Sequence, residues 1–128
     1  MPTIIKKSQS LLMDTGRETY HAVTWRVRSN VWRPPTDMFE TETGVIVKVE
    51  LAGARDEDIE VAVRGRLLSV NGVRSGSTER RAYHQMEIPY GRFSVEVELP
   101  VAVNIDNATA DYKDGFLTIH LPKEKLDT

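Results

Sequence analysis

The chain is 128 residues long, 40% hydrophobic and 28% charged, with a formal net charge of −2. That suffices for one packed core with an appendage, and it gives no general attraction to nucleic acid or to an anionic membrane. The absence of cysteine excludes disulfides and thiolate metal sites, which is compatible with a reducing cytoplasm, and no apolar run approaches the ~20 residues of a membrane helix.

Residues 1–33 read as an N-terminal arm, short and only partly ordered. Met1 to Met13 holds no continuous apolar stretch and no small-residue cleavage site, so a signal peptide is not expected. Ile4, Ile5, Leu11, Leu12 and Met13 are apolar without a core-forming period, and a short helix over residues 6–13 fits them. Trp25 and Val27 alternate with Arg26 and Arg28, as an extended segment would. Pro34-Pro35 then restricts the backbone to extended conformations and marks the start of the domain.

From there short strands follow one another at the spacing of a β-sandwich. Residues 37–41 form the first. Val45, Val47, Val49 and Leu51 then alternate with Ile46, Lys48 and Glu50. A polar turn leads to Ile59, Val61 and Val63, and Gly65-Arg66 turns the chain into a strand over 67–73. Residues 74–91 are the least regular stretch, with room for one brief strand at 81–86. Phe93, Val95, Val97 and Leu99 alternate with Ser94, Glu96 and Glu98. The last pair is the clearest: Ala108, Ala110 and Tyr112 face inward, Asp114-Gly115 supplies a type I′ hairpin, and Leu117, Ile119 and Leu121 face inward on return. Pro122 should end that strand. The architecture expected is all-β, an antiparallel sandwich.

No catalytic constellation emerges. His21, His84 and His120 have no ligand-like spacing, no Gly-x-Ser-x-Gly elbow occurs, and Ser75-Gly76-Ser77 lacks the lysine and helix of a phosphate loop. Asp56, Glu57 and Asp58 could bind a cation, but a capped turn with solvated neighbours fits them better. Arg74, Arg80, Arg81 and Arg92 give the central loop a basic character, suited to pairing with acidic strands. No enzyme, metal or cofactor is expected.

Five segments in order carry a family likeness: Val49-Glu50-Leu51-Ala52-Gly53 with Asp58-Ile59; Leu68-Ser69-Val70-Asn71-Gly72; Tyr90-Gly91-Arg92-Phe93; Leu99-Pro100; and Ala110-x-x-x-Asp114-Gly115-x-Leu117. Over residues 34–123 the chain resembles the α-crystallin domain of small heat shock proteins, of the bacterial, archaeal and plant type with a long dimerisation loop. Residues 124–128 are then a short tail. The resemblance implies an immunoglobulin-like sandwich and places Asn71-Gly72 at the end of a strand rather than in a hairpin. It also implies a cytoplasmic, stress-responsive, ATP-independent chaperone (a holdase) whose partners are itself, as a homodimer or larger oligomer, and unfolded clients, with no nucleic acid and no membrane.

In that family a strand in the loop crosses to a partner subunit. Here it would set Arg81, Ala82, Tyr83, His84, Gln85 and Met86 of one chain against Asp37, Met38 and Phe39 of the other. A groove between Ile59, Val61 and Val63 on one strand and Ala108 and Ala110 on another takes an Ile-x-Ile tail motif in the family. The residues after Pro122 show no such motif, so either Trp25-Arg26-Val27 fills the groove or it stays open. Val95-Glu96 stand where family members often carry arginines. Client binding is expected of Ile4, Ile5, Leu11, Leu12, Met13, Trp25 and Val27. The rival reading is an adaptor sandwich resembling the related co-chaperone domain, monomeric and docking on another chaperone without holding clients. Such adaptors lack the crossing loop.

Overall fold

The computed structural model describes residues 3–6 and 31–125. Within them the regular elements are strands, interrupted by two 3-10 turns at Asp56–Asp58 and Ile105–Asn107. The strands are β1 (Thr3–Lys6), β2 (Thr36–Glu40), β3 (Gly44–Glu50), β4 (Ile59–Arg64), β5 (Leu67–Arg74), β6 (Gly91–Glu98), β7 (Thr109–Lys113) and β8 (Phe116–Pro122). They form two four-stranded sheets in the orders β1-β4-β5-β6 and β2-β3-β8-β7. Every pairing is antiparallel. At the β7–β8 turn φ is 55° at Asp114 and 84° at Gly115, the two positive values that a type I′ hairpin requires.

Period-2 alternation decides what each strand buries. Val45, Val47 and Val49 of β3 stand opposite Leu121, Ile119 and Leu117 of β8, and all six are buried. The other sheet meets them with Ile59, Val61, Val63, Leu68, Val70, Phe93 and Val95. The phase read from the sequence is the phase in the fold.

Asn71-Gly72 is no turn: β5 runs straight through it, with Gly72 between Ile59 and Phe93. Glycine is needed there for space. A methyl group would press onto the Asp58 carbonyl and come within 2.5 Å of the Phe93 ring. Tyr112 ties β7 to the turn after β3, its hydroxyl lying 2.6 Å from the Leu51 carbonyl and 2.9 Å from that of Ala54.

Residues 81–86 are irregular in the single chain, where nothing offers them a ladder and an unpaired strand leaves its backbone groups unsatisfied; the strand expected there pairs with a partner chain. One expectation fails. The helix placed over 6–13 loses its first residue, because Lys6 belongs to β1; the remainder lies outside the described residues.

Leu117→Asp would set a carboxylate between the sheets opposite Val49, costing several kcal/mol out of a domain stability of roughly 5–15 kcal/mol. It should give insoluble or unfolded protein, and a native-like thermal transition would reverse the assigned faces. Burial pushes the Tyr112 phenol above its usual pKa. The folded state therefore favours the protonated form, and this contribution is whole below pH ~10 and lost as pH climbs through the raised value. Tyr112→Phe should cost about 1 kcal/mol in urea unfolding at neutral pH, with the gap to wild type closing above pH ~10.

Candidate functional site

Among the described residues the features open to solvent are strand edges and one long loop. β2 pairs with β3 only, so its other side is open among the described residues. The expected interface residues Asp37, Met38 and Phe39 lie on it, all exposed, Phe39 at 50%. Phe39 stands opposite Ile46 and Asp37 opposite Lys48, whose ammonium lies over the Phe116 ring.

Residues 75–90 form the projecting loop between β5 and β6, and every one is exposed. Arg81, Ala82, Tyr83, His84, Gln85 and Met86, expected at a dimer interface, are exposed here as irregular chain. The loop curls around an open hollow of about 520 Å³ lined by Tyr83, Met86, Ile88 and Tyr90 among others. Met86 and Ile88 are 62% and 59% exposed. Tyr83, Met86, Ile88 and Tyr90 are thus large side chains exposed together on one loop.

Arg74 grips the base of this loop. It lies on the inward phase of β5 with Leu68, Val70 and Gly72, and is only 9% exposed. Its Nε and Nη2 donate to the Pro89 carbonyl at 3.1 and 2.5 Å, and its Nη1 to the Ala52 carbonyl at 3.1 Å. The guanidinium also lies 4.3 Å from the Trp32 ring centroid and 5.4 Å from that of Tyr90. Trp32 runs alongside β6, donating its backbone N–H to Arg92 and accepting from Ser94. Arg74 is thus a buried clasp, where the sequence reading counted it among the loop's surface charges. The signal was present: an arginine in register with three inward residues.

The groove residues Ile59, Val61 and Val63 are buried on β4, and Ala108 and Ala110 are half-buried beside β7. The edge of β4 carries β1, with Thr3 opposite Val63, Ile4 opposite Ala62 and Lys6 opposite Val61. The register shifts between Ile4 and Lys6, and Ile5 packs on the core. Lys6 Nζ reaches the Asp56 carboxylate at 2.7 Å and its carbonyl at 2.6 Å. Ile4 and Ile5, expected to bind clients, are therefore strand residues here, Ile4 still 41% exposed. Leu11, Leu12, Met13, Trp25 and Val27 lie outside the described residues, as does Trp25-Arg26-Val27 as an occupant of the groove. Sequence reasoning missed β1, whose only sign was two adjacent isoleucines.

The three carboxylates at 56–58 do not converge. Asp56 faces Lys6, while Asp58 is 4% exposed and takes Arg55 Nε at 2.9 Å. Among the described residues no group of three acidic or histidine side chains could hold a metal ion.

The sequence model of the Hsp20/alpha crystallin family matches residues 37–128. The chain belongs to this family. Among curated members, it is 34% identical over 99 residues to small heat shock protein C4 of Rickettsia felis, an alignment covering 76% of this chain and 61% of the relative. It is 38% identical over 92 residues to spore protein SP21 of Stigmatella aurantiaca, covering 70% of this chain and 54% of that one. The chain thus spans little more than half the length of these relatives. Among solved structures, a small heat-shock protein from Xylella fastidiosa superposes with a TM-score of 0.68 at 29% identity, covering 76% of this chain and 91% of that one. Heat shock protein 16.0 from Schizosaccharomyces pombe gives 0.66 at 30% identity, covering 75% and 92%. The sandwich is therefore an α-crystallin domain, and the family's members are ATP-independent chaperones.

Arg74→Met keeps the bulk of the clasp but leaves the Pro89 and Ala52 carbonyls without their donor. We expect a loss of about 2–3 kcal/mol in urea unfolding, together with faster amide exchange across residues 75–90. Arg74→Lys should rescue little, because a lysine cannot fork to two carbonyls and stack at once.

Proposed function

We propose that this protein is a cytoplasmic holdase of the small heat shock class, binding partly unfolded clients and preventing their aggregation without catalysing a reaction. The carrying observation is the open β2 edge, with Met38 and Phe39 exposed, in a molecule whose loop displays Tyr83, Met86 and Ile88 to solvent. That edge and loop join two copies in this reading, and the apolar residues of the arm cover the apolar surface that unfolding clients expose.

In this reading residues 34–123 form the working domain, residues 1–33 an arm and residues 124–128 a tail. Residues 81–86 of one chain add a strand to Asp37, Met38 and Phe39 of a partner chain, which turns the irregular loop into an ordered ladder. Clients bind through the arm's apolar residues, Ile4 to Val27. The long exposed loop counts against the adaptor alternative.

Replacing residues 80–87 by a short glycine bridge should leave a folded monomer by sedimentation, whereas an unchanged dimer would sink the strand exchange. Holdase activity is read by light scattering from a heat-labile client. Full-length protein should suppress scattering near equimolar ratio without ATP, and a chain lacking residues 1–33 should need several-fold more. Scattering unaffected by the full-length protein would refute the holdase reading itself.

A further inference from the structure

The loop over residues 75–90 has two feet, and a residue from outside the loop stands against both. Trp32 fastens to the start of β6, where the loop returns to the sheet. Its backbone bridges Phe93 in the parallel sense, its indole Nε1 donates to the Gly91 carbonyl at 3.3 Å, and its ring centroid lies 5.5 Å from that of Phe93. The indole also faces the guanidinium of Arg74, the last residue of β5 before the loop leaves. Tyr90, at the loop's far end, faces the same guanidinium. It packs so closely on Gly76 that an added methyl group there would lie 3.2 Å from its ring. Trp32, Arg74, Tyr90 and Gly76 thus make one continuous run of contacts from the N-terminal side of the domain into both feet.

Arg74 holds Pro89 firmly because water is kept from it. A guanidinium open to solvent exchanges a carbonyl for water at little cost, whereas a desolvated one, here 9% exposed, loses heavily by letting go. The indole is one of the two rings over it. Lifting Trp32 therefore wets the guanidinium and loosens its grip on Pro89 without any change in residues 75–90.

We propose that Trp32 is a positioning residue for the loop between β5 and β6, acting through Arg74. With the indole seated the loop is held as one unit, and with it lifted the loop swings free. The coupling is reciprocal, so a freed loop loosens Trp32 in turn. In the holdase reading residues 1–33 serve clients and the loop serves a partner chain. That the coupling links those two tasks rests on that reading; the positioning itself stands without it.

With no cysteine in the chain, a single nitroxide label reads the loop in full-length protein of any assembly size. Attached through Thr78→Cys, an exposed position outside residues 81–86, it should become more mobile by line shape in Trp32→Met. The gain should match that in Arg74→Met and grow no further in the double variant. Trp32→Phe should restore the wild-type line shape, because an aromatic face remains over the guanidinium. In the reverse direction, a label attached through Arg33→Cys should be freed by Arg74→Met, which tests the coupling even if Trp32→Met does not fold. A label attached through Asp111→Cys on β7 should respond to none of these changes. The proposal is overturned by a label at position 78 that stays slow in Trp32→Met, by additive effects in the double variant, or by a Trp32→Phe chain as mobile as Trp32→Met. A label at position 33 that ignores Arg74→Met, or equal loosening at position 111, overturns it too. Failure of the dimer reading shows elsewhere, as an unchanged dimer when residues 80–87 are replaced, and moves none of these line shapes.

Discussion

Two open sheets leave four strand edges, and the protein's dealings with other molecules follow from how each is treated. The inner faces are already spent on one another, valines of β3 against leucines of β8 and the aliphatic residues of β4, β5 and β6 above them. What remains for contact is the rim. Along β6 the backbone of Trp32 takes up part of the exposed ladder. At β4 the short β1 does the same. β2, beside Met38 and Phe39, and β7 are each left with one side unpaired among the described residues. Uncovered edges are a liability in most proteins, which cap, twist or charge them.

The loop between β5 and β6 is shaped by its base. Arg74 begins it and Pro89 nearly ends it, yet the guanidinium holds the Pro89 carbonyl directly. The two feet are pinned together, so the excursion leaves the sandwich as one unit with its apolar residues outward. Such pinning would lower the ordering cost of any contact that the loop makes. Among the described residues no carboxylate pairs with Arg74; its charge is met by carbonyl oxygens and by the faces of Trp32 and Tyr90. Aromatic faces stabilise a desolvated cation appreciably, which makes this burial tolerable.

Most of the sandwich was legible in the sequence because each strand's period and each hairpin's turn are local properties. Asp114-Gly115 and the Leu117, Ile119, Leu121 phase needed no knowledge of the rest. What stayed hidden depends on remote partners. Residues 81–86 have strand-like composition, but a strand exists only beside another, and their own chain provides none. Ile4 and Ile5 gained meaning only once β4 was seen to have a free edge and Asp56 to lie within reach of Lys6. Arg74 was misplaced for the opposite reason: its neighbours Ser75 and Gly76 drew it into the loop, although its phase along β5 pointed inward.

Gly72 links these features mechanically. The backbone of Asp58 rests directly on its α-carbon, with no atom between turn and sheet. The 3-10 turn Asp56–Asp58 therefore sits as low as it can, and its height sets where the Asp56 carboxylate meets Lys6. The smallest side chain at position 72 would act as a shim, raising the turn and the carboxylate with it. The seat of the N-terminal strand is in this sense levelled from the middle of a different strand, by the absence of a single methyl group.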